Sequence, residues 1–116
     1  MNILVCGSRS IKDKKVVFEN LGDFIAIGDT VIQGGCQGVD TFASEWCLKH
    51  QIATITVRPV RTDIKEYYLH RNSEMIGMCD KVIAFWDNAS RGTKFVIDYA
   101  NKRRKNVTIV HIDKSD

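Results

Sequence analysis

The sequence predicts an α/β fold with a parallel sheet, and three observations carry that prediction. Short apolar, β-branched runs alternate with longer stretches whose apolar residues recur at helical spacing. Each run closes on a glycine or a polar residue before the next helix-like stretch begins. The most continuous run, "KVIAFW" (Lys81–Trp86), has the all-round apolar character of a strand buried on both faces.

Taken in order, "NILVC" (Asn2–Cys6) is the first strand, closed by Gly7. A helix begins near Asp13, with Val17, Phe18, Leu21, Phe24 and Ile25 on one face. "DTVIQ" (Asp29–Gln33) is the second strand. Val39, Phe42, Ala43, Trp46, Cys47 and His50 then trace one face of the second helix. "ATITV" (Ala53–Val57) is the third strand, and Pro59 closes it.

From Val60 to Cys79 the sequence allows more than one arrangement. Asp63 with Glu66 forms a capping box that starts a continuous helix, on which Ile64, Tyr68, Arg71 and Met75 share a face. Alternatively Asn72 or Ser73 caps a fresh helix and Arg71 sits in a loop facing the strand ends, or Arg71 simply snorkels to the surface. Lys81–Trp86 is the fourth strand. A helix follows from Thr93 to about Arg104, with Phe95, Val96, Tyr99 and Ala100 inward. "NVTIVHI" (Asn106–Ile112) is the fifth strand.

Strands and helices alternating in this way build right-handed βαβ units. The expected architecture is a Rossmann-like, doubly wound, parallel five-stranded sheet, most simply ordered 3-2-1-4-5, with helices on both faces. Ligands of such sheets bind at the carboxyl ends of the strands where the order reverses, here between strands one and four.

At 116 residues, with no internal repeat or linker, the chain is expected to form a single domain over residues 1–116. Its composition, 44% hydrophobic and 27% charged, is that of a water-soluble globule. No apolar run approaches the roughly 20 residues that cross a bilayer. The start, "MNILVCGSRS", turns polar too quickly for a signal peptide, so a cytoplasmic location is expected and no membrane partner.

The net charge of +3 is spread out except at "NKRRKN" (Asn101–Asn106). That cluster is either a nucleic-acid contact or a solvated last helical turn, where cations suit the dipole. Cys6, Cys36, Cys47 and Cys79 form no C-x-x-C pair and no metal-ligand spacing with the three histidines, so no metal site is predicted.

Three turns converge on the predicted crevice: "GSRS" (Gly7–Ser10), "GGCQGVD" (Gly34–Asp40) and "DNASRGTK" (Asp87–Lys94). Neither G-x-G-x-x-G after strand one nor G-K-[ST] is present, which argues against a dinucleotide-dependent dehydrogenase or an ATPase. An acid in the first turn of a helix repels a phosphate there, so Asp40 makes the second turn a poor phosphate site. Asp40 suits a ribose hydroxyl, or caps its own helix. "SRGTK" is the better cradle, with Ser90 and Thr93 hydroxyls, the Gly92 amide, Arg91 and Lys94, and no acid closer than Asp87. Arg9 supplies a further positive charge. The expected ligand is a phosphorylated ribose, its phosphate toward Ser90–Lys94 and its sugar toward Asp40.

These residues also carry a resemblance. "GSR", "GGCQGVDTFASEW", "RNSEM" (Arg71–Met75) and "CDKVIAFWDNASRGT" occur in the order and spacing of the YspA-type, cpYpsA-related members of the SLOG superfamily. That superfamily includes the DNA-processing protein DprA and the LOG phosphoribohydrolases. The resemblance spans nearly the whole chain and implies a domain binding nucleotides or nucleotide-derived ligands. By matching position, it implies a pocket lined by Gly7, Ser8, Arg9, Gly34, Gly35, Gly38, Asp40, Arg71, Asn72, Ser90, Gly92 and Thr93. It also allows a homo-oligomer and names no cofactor. LOG enzymes carry P-G-G-x-G-T-x-x-E in the fourth turn, whereas this chain reads "NASRGTKFV", with Val96 in place of the catalytic glutamate.

Three functions follow. The first is a binding or sensor domain for a phosphorylated nucleotide derivative. The second is a LOG-like hydrolase of the N-glycosidic bond of a nucleoside monophosphate, with Arg71, Glu74 or Asp40 as candidate catalytic groups. The third is DprA-like binding of single-stranded nucleic acid, with Trp86 and Tyr67 as stacking candidates, though the modest charge argues against it.

Overall fold

The structure, a computed structural model, describes residues 1–113. Its elements are β1 (Asn2–Gly7), α1 (Lys14–Phe24), β2 (Thr30–Gln33), α2 (Val39–His50), β3 (Ala53–Thr56), α3 (Lys65–Met78), β4 (Lys81–Trp86), α4 (Arg91–Lys102) and β5 (Asn106–His111). The strands form one sheet in the order β3-β2-β1-β4-β5, every neighbouring pair parallel. This is the doubly wound α/β architecture the sequence predicts. None of the helices among the described residues is long and apolar enough to cross a membrane.

The period-two alternation of the strands divides the core. Ile3, Val5, Val31, Ile83 and Phe85 face α1 and α2, where Val17, Leu21, Ala43 and Trp46 meet them. Leu4, Ile32, Val82 and Ala84 face α3 and α4, against Met75, Ile76, Val96, Ile97 and Ala100. β1 and β4 are buried on both faces because helices cover both. β3 departs from that rule, with all four residues exposed. It is an edge strand, and α3 lies over β1 and beside α4 rather than over it.

Several boundaries differ from the sequence-based expectation, each for a local reason. α3 is continuous, which removes both the fresh start at Asn72 or Ser73 and the snorkelling arginine. The Asp63–Glu66 capping box does not form: Arg61 Nε donates to Asp63 Oδ1 at 2.9 Å, and the cap position belongs to Ile64 without a side-chain bond. α4 starts at Arg91 rather than Thr93 because the Ser90 hydroxyl accepts the Thr93 amide at 3.4 Å. His50, placed on the inner face of α2 by periodicity, is exposed and keeps only a tilted contact with the Trp46 ring, 4.6 Å between centroids.

Candidate functional site

Where the chain order reverses, between β1 and β4, the carboxyl rim of the sheet opens into a cleft of about 640 Å³. Cys6, Leu69, Met75 and Val96 form its apolar side, and Arg9, Asp40, Asp87, Ser90, Gly92 and Thr93 line its polar side. α3 closes it with Lys65, Tyr68, Arg71 and Asn72, and the approach to α3 adds Thr62 and Asp63.

The second turn is organised by Asp40. Its Oδ2 accepts the Gly34 and Cys36 amides, both at 3.1 Å. Asp40 therefore holds the turn against α2, and it does not cap its own helix. The cap is Gly38, whose φ of +92° a side chain would strain and which offers no side-chain acceptor. With Asp40 only 8% exposed, burial raises its carboxyl above the usual range. The Cys36 amide, Arg71, the Gly34 amide and Arg9 oppose that shift.

Arg71, 5% exposed on α3, is the bracket of the site. Its Nη1 donates to the Gly34 carbonyl and, at 3.1 Å, to the Val57 carbonyl, joining the ends of β2 and β3. Nε donates to Asn72 Oδ1 at 2.9 Å, and Nη2 lies 3.7 Å from Cys36 Sγ. The guanidinium also sits 5.5 Å from the Tyr68 ring centroid. Its donors are engaged by the protein itself, so Arg71 positions the turn and leaves little for a phosphate.

The fourth turn is organised by Asp87, 8% exposed. Its Oδ2 accepts the Ser10 hydroxyl at 2.6 Å, and Oδ1 accepts the Ala89 and Ser90 amides at 2.9 and 2.7 Å. The Ser10 bond, followed by the turn amides, holds its carboxyl well below the usual range. Buried Ser8 stands behind: its hydroxyl accepts the Asp87 amide at 3.1 Å and lies 3.4 Å from Thr93 Oγ1. The phosphate cradle read from "SRGTK" is consequently smaller than expected. Lys94 is turned out to Asp98 at 2.9 Å, and Arg91 is exposed outside the cleft. What remains are the first-turn amides of Arg91 and Gly92 and the Ser90 and Thr93 hydroxyls.

The structure thus brings Gly7, Arg9, Asp40, Arg71, Asn72, Asp87, Ser90, Gly92 and Thr93 to one cleft. Gly34 and Gly35 line an adjoining chamber, Ser8 and Gly38 support the turns, and Arg91 and Lys94 face outward. Glu74 is exposed and pairs with His70 at 3.1 Å, away from the cleft. Sequence reasoning placed Ser10 in the converging first turn without giving it a role, and missed Cys6, Thr62, Asp63, Lys65 and Leu69 as lining residues. Leu69 lies about 100° round α3 from Tyr68, off the face that Ile64, Tyr68, Arg71 and Met75 share, and nothing local marks the irregular lead-in to α3. Among the described residues no cluster of His, Cys, Asp or Glu is arranged to hold a metal ion.

Solved structures share this architecture. DNA processing protein A from Helicobacter pylori, described for its single-stranded DNA binding mode, superposes with a TM-score of 0.76 at 21% identity. The match covers 99% of this chain and 69% of that one. DNA processing protein A (DprA) from Streptococcus pneumoniae gives 0.74 at 20% identity over 93% of this chain, which spans only 49% of that protein. TM1055, a structural genomics target, gives 0.71 at 17% identity, covering 91% of this chain and 71% of that one. At such identities these likenesses show the fold alone. No curated protein matches the chain. The sequence itself matches a family profile over residues 1–63, which takes in β1, the Asp40 turn and β3, and on that match the chain belongs to the YspA, cpYpsA-related SLOG family.

Proposed function

We propose that the cleft binds a nucleotide or phosphorylated nucleotide derivative and that the chain acts as a ligand-binding or sensor module. The observation that carries this reading is the division of labour across one cleft. Asp40 stands on one side, suited to accept hydrogen bonds from sugar hydroxyls, and the open first turn of α4 at Gly92 stands on the other, suited to a phosphate. Arg9 adds positive charge to the same cleft. The apolar side formed by Leu69, Met75 and Val96 fits a base or the carbon face of a sugar.

Val96 also favours binding over hydrolysis. It lies in the cleft wall where LOG enzymes carry their glutamate, and a buried valine moves no proton. A second reading, single-stranded nucleic-acid binding, draws on the fold shared with DNA processing protein A. The basic 101–106 cluster gives it no support, because it precedes β5 at the opposite rim of the sheet.

Mass spectrometry of small molecules released from the purified protein tests the proposal. A retained intact nucleotide derivative is the expected result. Asp40→Asn keeps a carbonyl acceptor for the turn but loses the charge, and should weaken binding of that molecule about tenfold, as loss of a charged hydrogen bond does. An affinity that does not change would return Asp40 to a purely structural role. Free base and ribose phosphate appearing on incubation with nucleoside monophosphates would make the protein a hydrolase instead.

A further inference from the structure

Three cavities follow one another along the carboxyl rim, and they differ in charge. The cleft is balanced, with Arg9, Lys65 and Arg71 against Asp40, Asp63 and Asp87. Beyond Ser10 and Asp87, toward α1 and β5, a second cavity carries Asp13, Asp87 and Asp113 with Lys12 and His111. On the other side of Arg9 and Tyr68 a third chamber of about 320 Å³ is lined by Arg9, Arg58, Gly35, Gln37, Pro59 and Thr62 and contains no carboxylate. It shares Arg9, Cys36, Thr62 and Tyr68 with the cleft, so the two are continuous.

Arg58 is little committed, and Arg9 feels the Asp40 carboxylate only at longer range. Neither Arg9 nor Arg58 forms an ion pair among the described residues. Among the described residues Arg58 has one hydrogen bond, a long one, from Nη1 to the Gly35 carbonyl at 3.4 Å. Two guanidinium groups facing one chamber whose lining holds no carboxylate favour a multidentate oxyanion, which a tetrahedral phosphate supplies. The acid-lined cavity on the opposite side repels the same group.

We propose that the Arg9–Arg58 chamber holds a second phosphate of the ligand, so that the molecule bound is a nucleotide derivative with two separated phosphates rather than a mononucleotide. This rests on the nucleotide reading of the cleft and extends it to the class of ligand. The cleft takes one nucleotide unit, and the extension passes Tyr68 and Arg9 into the chamber.

Titration calorimetry on the full chain tests this, with adenosine and guanosine 5′-monophosphates beside the 5′-phosphorylated dinucleotides pApA and pGpG. A dinucleotide should bind about tenfold more tightly than its mononucleotide, the effect of one added charge-assisted contact. Arg58→Ala, a change at an exposed side chain outside the cleft, should remove that advantage and leave mononucleotide affinity within about twofold. An unchanged melting temperature of the variant confirms an intact fold. Equal affinity for the two probes, or an advantage that survives Arg58→Ala, overturns this inference while mononucleotide binding leaves the cleft reading standing. Binding of neither probe class to the wild-type chain removes both. A further tenfold gain with the tetranucleotide would overturn the small-molecule ligand in favour of a nucleic-acid strand.

Discussion

Two buried carboxylates stand on either side of the cleft, and their surroundings push them in opposite directions. Asp87 is held low by the Ser10 hydroxyl and two turn amides, and Asp40 is raised because burial outweighs its bonds. The consequences for stability carry opposite signs. A lowered carboxyl stabilises the fold above its ordinary value of 3.8, and that contribution fades as pH falls toward the folded value. Asp40 favours the fold at low pH and loses that contribution as pH rises through its own folded value. Asp87→Asn should therefore cost about 1–2 kcal/mol near neutrality, the difference between charged and neutral hydrogen bonds. The deficit should close as pH drops below 3.8, where the wild-type carboxyl is increasingly protonated in the unfolded chain. Urea unfolding across pH measures it, and a deficit constant with pH would mean that packing rather than charge holds the fourth turn.

At the level of elements, the cleft depends on how closely α2 approaches the end of β1. A methyl group on Gly7 would lie 2.7 Å from Val39 Cβ and 2.9 Å from its Cγ1, both within the packed start of α2. Gly7→Ala should cost about 1–3 kcal/mol by overpacking, and it should also weaken ligand binding because Asp40 is the next residue along the displaced helix. Gly22, inside α1, has nothing within 4 Å of a new methyl. Gly22→Ala should stabilise the chain by about 0.5–1 kcal/mol, as alanine does in a helix interior, without touching affinity. Unfolding and binding measured on both variants separate the two effects. If Gly7→Ala left the affinity unchanged, the start of α2 would not position the site. The contrast was partly legible beforehand: "GSR" marks the end of β1, but which helix presses on Gly7 depends on contacts between residues far apart in the chain.

For the molecule as a whole, strand order, parallel pairing and the turns after β1, β2 and β4 were readable because periodicity and strand-ending residues are local. The commitments of side chains were not. Arg71 reads as a ligand-facing arginine until its carbonyl partners, 37 and 14 residues away, are brought beside it. Lys94 reads as part of a cradle until its helix turns it toward Asp98. The basic 101–106 cluster reads as either a nucleic-acid contact or a solvated last helical turn, and the parallel sheet carries it to the rim opposite the cleft. That separation of ends gives a test of where a ligand sits. In hydrogen–deuterium exchange at saturating nucleotide derivative, locally opening amides should slow at 7–10, 34–40, 62–72 and 87–93. Those at 25–30, 79–81 and 101–106, on the other rim, should exchange as before. Ligand at about a hundred times its dissociation constant should at the same time add about 2.7 kcal/mol of global stability, visible as a raised melting temperature. Slowing at 101–106 without change at 87–93 would move the binding surface to the basic rim and leave the cleft without a ligand.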